Sequence, residues 1–193
     1  MSIINKRSDK GFTLIEMVVS IGIFAVAALI GTTALLSLAV SQRKAIAIQS
    51  AYDNLRFAVE VIAKDLRTGD IYHCGSSVPV DMPLDCDAVN TSGASTIVFQ
   101  NALGQSIKYS RNVGLCGGTT ASIVKSVDGG ADDQVTGCDI DVQALTFYVK
   151  GSPVENPPFQ PVVTIVAKGL AGQGKWSSQF SLQTTVTQRT VRQ

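Results

Sequence analysis

From Met17 to Gln42 the chain carries 26 residues without a charge, and Met17–Val40 holds only four polar side chains, Ser20, Thr32, Thr33 and Ser37. Those 24 residues would reach roughly 36 Å as a helix at about 1.5 Å per residue. A bilayer's hydrocarbon core is roughly 30 Å thick, so the stretch can span it with some tilt. A soluble core helix would show polar positions at helical spacing; this segment requires lipid or an all-apolar helix bundle around it. A cleaved secretory signal has an apolar core of only about 7–15 residues and a small-residue exit. The run is too long for that, and no convincing A-x-A follows it. Lys6, Arg7 and Lys10 precede the span and point to a cytoplasmic N-terminus, an asymmetry that Arg43 and Lys44 at the far end weaken.

Beyond the span the pattern becomes amphipathic. Arg43 to Arg67 contains no Pro or Gly, and Ile48, Tyr52, Leu55, Val59, Ile62 and Leu66 recur at helical spacing, with Asp53, Glu60, Lys64 and Arg67 largely off that stripe. The helix is therefore expected to continue to Thr68, end on Gly69 as its C-cap, and lay its stripe on a sheet rather than in a coiled-coil seam. Residues 69–93 read as loop. Strand alternation follows at Ser95–Gln100 and Gln105–Ser110, a hairpin pairing Ile97 and Phe99 with Ile107 and Tyr109. Ala121–Val127 is a weaker strand signal; Val142–Lys150, Val162–Lys168 and the Phe180, Leu182, Thr184, Val186 face are stronger ones. One long helix first and antiparallel strands afterwards predicts an α+β fold, with a sheet head at 95–190 on the helix's second half, 43–68.

Charge and chemistry then narrow the functional classes. The chain has 193 residues, 45% hydrophobic and 16% charged, with a net charge of +1, which suits one membrane helix and one globular domain. Residues 69–149 hold nine acids against three bases, so no nucleic-acid partner is expected. His73 is the only histidine, and no G-x-S-x-G, H-E-x-x-H or Gly-rich phosphate loop occurs, which argues against an enzyme. Without a C-x-x-C, zinc has no ligand set. Asp128, Asp132 and Asp133, in a Gly-rich loop, form a weak calcium candidate that does not match EF-hand spacing; no other cofactor is implied. Trp176, in the expected hairpin loop Gly172–Ser178, is either a surface anchor or folded back on the head. Cys74, Cys86, Cys116 and Cys138 all follow the span, on the oxidising side if the N-terminus is inside, so two disulfides are expected. Three connectivities are open, and short-loop closure favours Cys74–Cys86 with Cys116–Cys138.

Glu16 is the exception in the apolar region. A carboxylate at the centre of a membrane helix costs about 2.5–3.5 kcal/mol and usually has a partner. Only about 6 Å from Phe12 along a helix, it could equally reach the headgroups as an inert interfacial acid.

The order Lys10-Gly-Phe-Thr-Leu-Ile-Glu16 followed by an uncharged run resembles the N-terminus of type IV pilins and of the pseudopilins of type II secretion. The resemblance implies a leader of residues 1–11, cleavage by prepilin peptidase between Gly11 and Phe12, and methylation of the Phe12 amine. It implies a transmembrane and filament-core helix over 12–42 and an extracytoplasmic head over 43–193. It also gives Glu16 a partner for assembly, the Phe12 amine of a neighbouring subunit. Its implied partners are other pilin or pseudopilin subunits, the peptidase, the inner-membrane assembly platform and the membrane, which the chain would cross once. The span departs from many major pilins in lacking a kinking proline; it has Gly22, and Ala27 with Gly31 as a small-xxx-small pair. A second, less specific resemblance, to the pseudopilin J class and W-type minor pilins, rests on I-V-F…G-x-x-I-x-Y, L-T-F-Y-V and T-T-V-T-Q-R. It favours a minor subunit over a major pilin or a membrane-tethered ligand-binding module.

Overall fold

The computed structural model describes residues 11–76, 82–86, 92–151, 160–172 and 177–189. Helix α1 runs Leu14–Thr68 over 55 residues, and the chain divides into two compact units, Met1–Arg43 and Lys44–Gln193.

In the first unit α1 buries nothing: from Leu14 to Val40 its large apolar side chains are exposed on every face. Four of its hydroxyls are satisfied by the helix's own backbone. The hydroxyls of Ser20, Thr32, Thr33 and Ser41 donate to the carbonyls of Glu16, Leu29, Ile30 and Ser37 at 2.7–3.0 Å. Such back-bonding hides hydroxyls from a medium that offers no hydrogen bonds.

The second unit is an α+β head. Its first sheet has five antiparallel strands in chain order: β1 (Asp70–Cys74), β2 (Ile97–Gln100), β3 (Ser106–Val113), β4 (Ala121–Val127) and β5 (Asp133–Gln134). Its second has three: β6 (Ile140–Lys150), β7 (Val162–Ala171) and β8 (Ser178–Thr187). The expected hairpin has the register its alternation requires, Ile97 opposite Tyr109 and Phe99 opposite Ile107. Val127-Asp-Gly-Gly130 turns the chain toward β5. Asp128 and Gly129 both have positive φ and the Gly130 N–H donates to the Val127 carbonyl, a type I′ turn with its favoured Asp-Gly pair.

Three expectations need correction. The first concerns the stripe on α1, whose buried residues are Ala51, Leu55, Ala58, Val59, Ile62, Ala63 and Leu66, whereas Tyr52 is 42% exposed and Ile48 half-buried. Alanines, which carry little hydrophobic signal, occupy the centre of the face. Ala51 and Ala63 join Phe99, Tyr109, Phe147, Ile165 and Phe180 in one core. The second concerns residues 69–93, which are not all loop: β1 lies there, held by β2 and broken by a register shift between Asp70 and His73.

The third concerns Gly69, which ends the helix without adopting the left-handed conformation; Ile71, at φ 51°, takes it instead. Gly69 is needed because a Cβ there would overlap the Phe99 ring. The last carbonyls of α1 are satisfied from a distance. The Tyr72 hydroxyl donates to Leu66 and Gly69, the Gln188 amide to Gly69 at 3.0 Å, and the Arg189 N–H to Arg67 at 3.0 Å. The end of β8 is thereby tied to the end of the helix.

Candidate functional site

Gly11, Phe12 and Thr13 precede the helix in non-helical backbone. Thr13 is the N-cap: its carbonyl accepts the Met17 N–H at 3.2 Å and its hydroxyl accepts the Glu16 N–H at 3.3 Å. The Gly11–Phe12 bond thus lies just outside the first turn, exposed, with Phe12 79% accessible. A side chain at Gly11 would meet nothing within 4 Å. Packing among the described residues does not demand glycine there. Residues 1–10 of the expected leader, 1–11, lie outside the described residues.

Glu16 is exposed in the first turn of α1, three residues after the N-cap. Among the described residues no group pairs with its carboxylate. At that position the unsatisfied backbone N–H groups favour an acid, an effect of about 0.3–1 kcal/mol. Thr13-x-x-Glu16 has the spacing of a capping box, a helix-start signal that the sequence reading missed by treating Glu16 only as a membrane charge. Gly22 and Gly31 likewise have open space where a Cβ would be, room for another helix to approach.

The head holds the remaining candidates. Cys74 is bonded to Cys86 and Cys116 to Cys138, the two local closures. The first pair is buried in the core and ties β1 to the segment that bridges β6 at Val149. The second joins the β3–β4 loop to the residues before β6. There Asn54 of α1 donates to Asp139 at 2.7 Å and accepts the Gly137 N–H at 3.2 Å.

The acidic loop is divided among protein partners. Asp128 accepts the Ser106 N–H at 2.8 Å, and Asp132 accepts from Asn112 at 2.7 Å and pairs with Lys108 at 3.6 Å. Asp133 lies exposed in β5. The structure does not bring the three together, and no cluster of three or more His, Cys, Asp or Glu suited to a metal occurs among the described residues. The imidazole of His73 meets the Met82 carbonyl through Nδ1 at 2.8 Å. Trp176 lies outside the described residues.

The polar centre of the head was not foreseen. Asp65 of α1 accepts the Tyr109 hydroxyl and the Lys125 ammonium, each at 2.7 Å, joining helix to β3 and β4. Burial, then the bond to Asp65, pushes the Tyr109 phenol well above its ordinary range; burial, then the nearby Asp70 charge, does the same to Tyr72. Asp65 lies off the apolar stripe, so sequence pattern alone marks it as solvent-facing.

A capped apolar helix, exposed from Leu14 to Val40 and followed in sequence by an α+β head with two disulfides, fits membrane anchoring. Residues 6–32 match the family model of the prokaryotic N-terminal methylation motif, which supports membership of the type IV pilin family. Comparison with curated proteins and with solved structures finds no match.

Proposed function

We propose that this chain is a structural subunit of a type IV filament system, most like a minor pilin or pseudopilin. Prepilin peptidase would cut between Gly11 and Phe12 and methylate Phe12, leaving the apolar helix on the mature subunit. The helix would hold the subunit in the cytoplasmic membrane, with the N-terminus inside and the head in the periplasm or at the surface. Contact with the assembly platform would then move it into the filament. The observation that carries this reading is the matched motif on a capped helix whose apolar faces no described residue of its own unit covers.

Glu16 has the second role. Shielded among packed helices, its carboxylate and a neighbour's Phe12 amine attract more strongly than in water, and the pair sets register more than it adds stability. The two-sheet head and paired local disulfides support the J-like or W-like assignment over a major pilin.

The test begins with intact mass of the protein recovered from cells containing prepilin peptidase. Loss of residues 1–11 together with one added methyl group is expected; an unprocessed N-terminus would overturn the reading. A membrane-tethered binding module is separated by Glu16→Ala, which should stop incorporation into filaments while leaving a tethered binder active.

A further inference from the structure

The two sheets have four outer edges, and three are protected. The outer side of β1 carries a parallel bridge from Leu84, whose backbone exchanges bonds with Tyr72 and Cys74 at 3.0–3.1 Å. β5 is two residues long. The outer side of β6 is covered by Cys86 on Val149 and Ala94 on Phe147, with backbone bonds of 2.7–3.1 Å. The fourth edge is β8. It runs ten residues, pairs in unbroken register with β7, and contains no charged residue, proline or bulge. Among the described residues nothing pairs with its outer side. Alternate residues of an antiparallel edge strand point N–H and C=O away from the sheet, so β8 presents a long row of backbone groups that no described residue meets.

Beside this edge a groove of about 340 Å³ opens between β8 and the head portion of α1, lined by Arg56, Val59, Glu60, Ala63, Arg67 and Leu182, among others. Its floor is apolar and continuous with the core through Val59, Ala63 and Leu182. Its rim is basic. Arg56 and Arg67 are exposed and form no ion pair among the described residues; Glu60 is the acid lining the groove with them, and Asp53 lies three residues before Arg56. Arg189, bonded through its N–H to the Arg67 carbonyl, places a third arginine where β8 ends.

We propose that the β8 edge and this groove form a docking site for an extended acidic peptide segment of another protein, which adds to the second sheet as a fourth strand. Its backbone would meet the open groups of β8. Alternate side chains, small and apolar, would enter the groove, and acidic residues would reach Arg56 and Arg67. Charge decides against a second copy of this chain. Two β8 edges paired about a two-fold axis would bring both arginine rims to the same face of the joined sheet. The proposal does not depend on the filament reading.

The test uses the full chain purified in detergent and a fluorescent nine-residue peptide alternating valine and threonine, with aspartate at both ends. Anisotropy should report saturable binding, weakened about tenfold when the terminal aspartates are replaced by lysine and by a similar factor in the R56E/R67E protein. Both arginines are exposed and make no described side-chain contact, so the variant should fold normally. N-methylation of the peptide at alternate residues gives the geometric readout. One set of positions should abolish binding and the other should spare it. Equal binding of acidic and basic peptides, equal sensitivity of the two methylated sets, or absence of binding would each overturn the proposal. So would sedimentation showing that the edge is occupied by a second copy that excludes the peptide.

Discussion

Asp65→Ala should be among the most damaging single changes in the head. Asp65 accepts a bond from the hydroxyl of Tyr109, whose side chain is fully buried, and a second from Lys125, both at 2.7 Å. Truncation leaves the phenol buried without an acceptor, a loss of about 1.5–3 kcal/mol for a bond to a charged group. The ion pair adds less, because its side chains are 29% and 27% exposed; solvent screening limits it to roughly 0–1 kcal/mol. The total is about 3 kcal/mol, or a fall of about 6–12 °C in Tm for a unit of this size. Near-UV circular dichroism of the full chain in detergent follows the tyrosine environment directly. Tyr109→Phe alone should cost about 1 kcal/mol, and in the double variant the two losses should couple by about 1–2 kcal/mol. Strict additivity, or a loss under about 1 kcal/mol for Asp65→Ala, would refute the assignment of this carboxylate as the link between helix and first sheet.

Alkaline pH acts on the same group. The phenols of Tyr72 and Tyr109 are raised in the folded head, so above about pH 10 the unfolded chain loses their protons first and binds fewer than the native state. Stability should therefore be flat with respect to these groups below that pH, then fall as pH rises toward the folded values; urea titrations between pH 8 and 11, repeated with Tyr72→Phe and Tyr109→Phe, check the slope. Ser122 is fully buried and its hydroxyl has no partner among the described residues, so Ser122→Ala should be neutral or stabilise by up to about 1 kcal/mol in the same titration. Loop closure alone ranks the disulfides by separation, 22 residues for Cys116–Cys138 and 12 for Cys74–Cys86, at about 3.4 and 2.8 kcal/mol. Burial reverses that order: Cys74 and Cys86 are in the core and would become buried hydroxyls as serines, so losing that pair should lower Tm more.

What was legible in the sequence is what local periodicity encodes. The uncharged run, the continuing amphipathic helix, and the Ile97/Phe99–Ile107/Tyr109 hairpin all follow from spacing, because each face is set by backbone repeat. The errors fall where tertiary contact overrides local pattern. Ala51 and Ala63 are buried in one core with the strand residues, a reason no hydropathy stripe contains. Gly69 looks like a C-cap by position, yet the Phe99 ring above it is what requires glycine. β1 is five residues with a register break and exists because β2 and Leu84 bond to its two sides. Asp65 reads as a solvated charge until Tyr109 and Lys125, more than forty residues away, are folded onto it.

Position 16 combines two requirements that a charge-removing variant alone would confuse. Thr13 caps α1, and Glu16 occupies the third helical residue, where an acid is favoured by the free N–H groups of the first turn. Helix start and the proposed intersubunit pairing would then make overlapping demands on one side chain. Glutamine meets the first demand, since it is accepted at that place in a capping box, but it carries no charge. Alanine meets neither. If Glu16 serves assembly by pairing with a neighbour's amine, Glu16→Gln and Glu16→Ala should abolish filament incorporation alike. Only the alanine variant should also loosen the first turn, read as faster amide exchange at Glu16 and Met17. Incorporation of the glutamine variant at the normal level would show that the residue acts through the helix start, and the charge-pair reading of Glu16 would have to be abandoned.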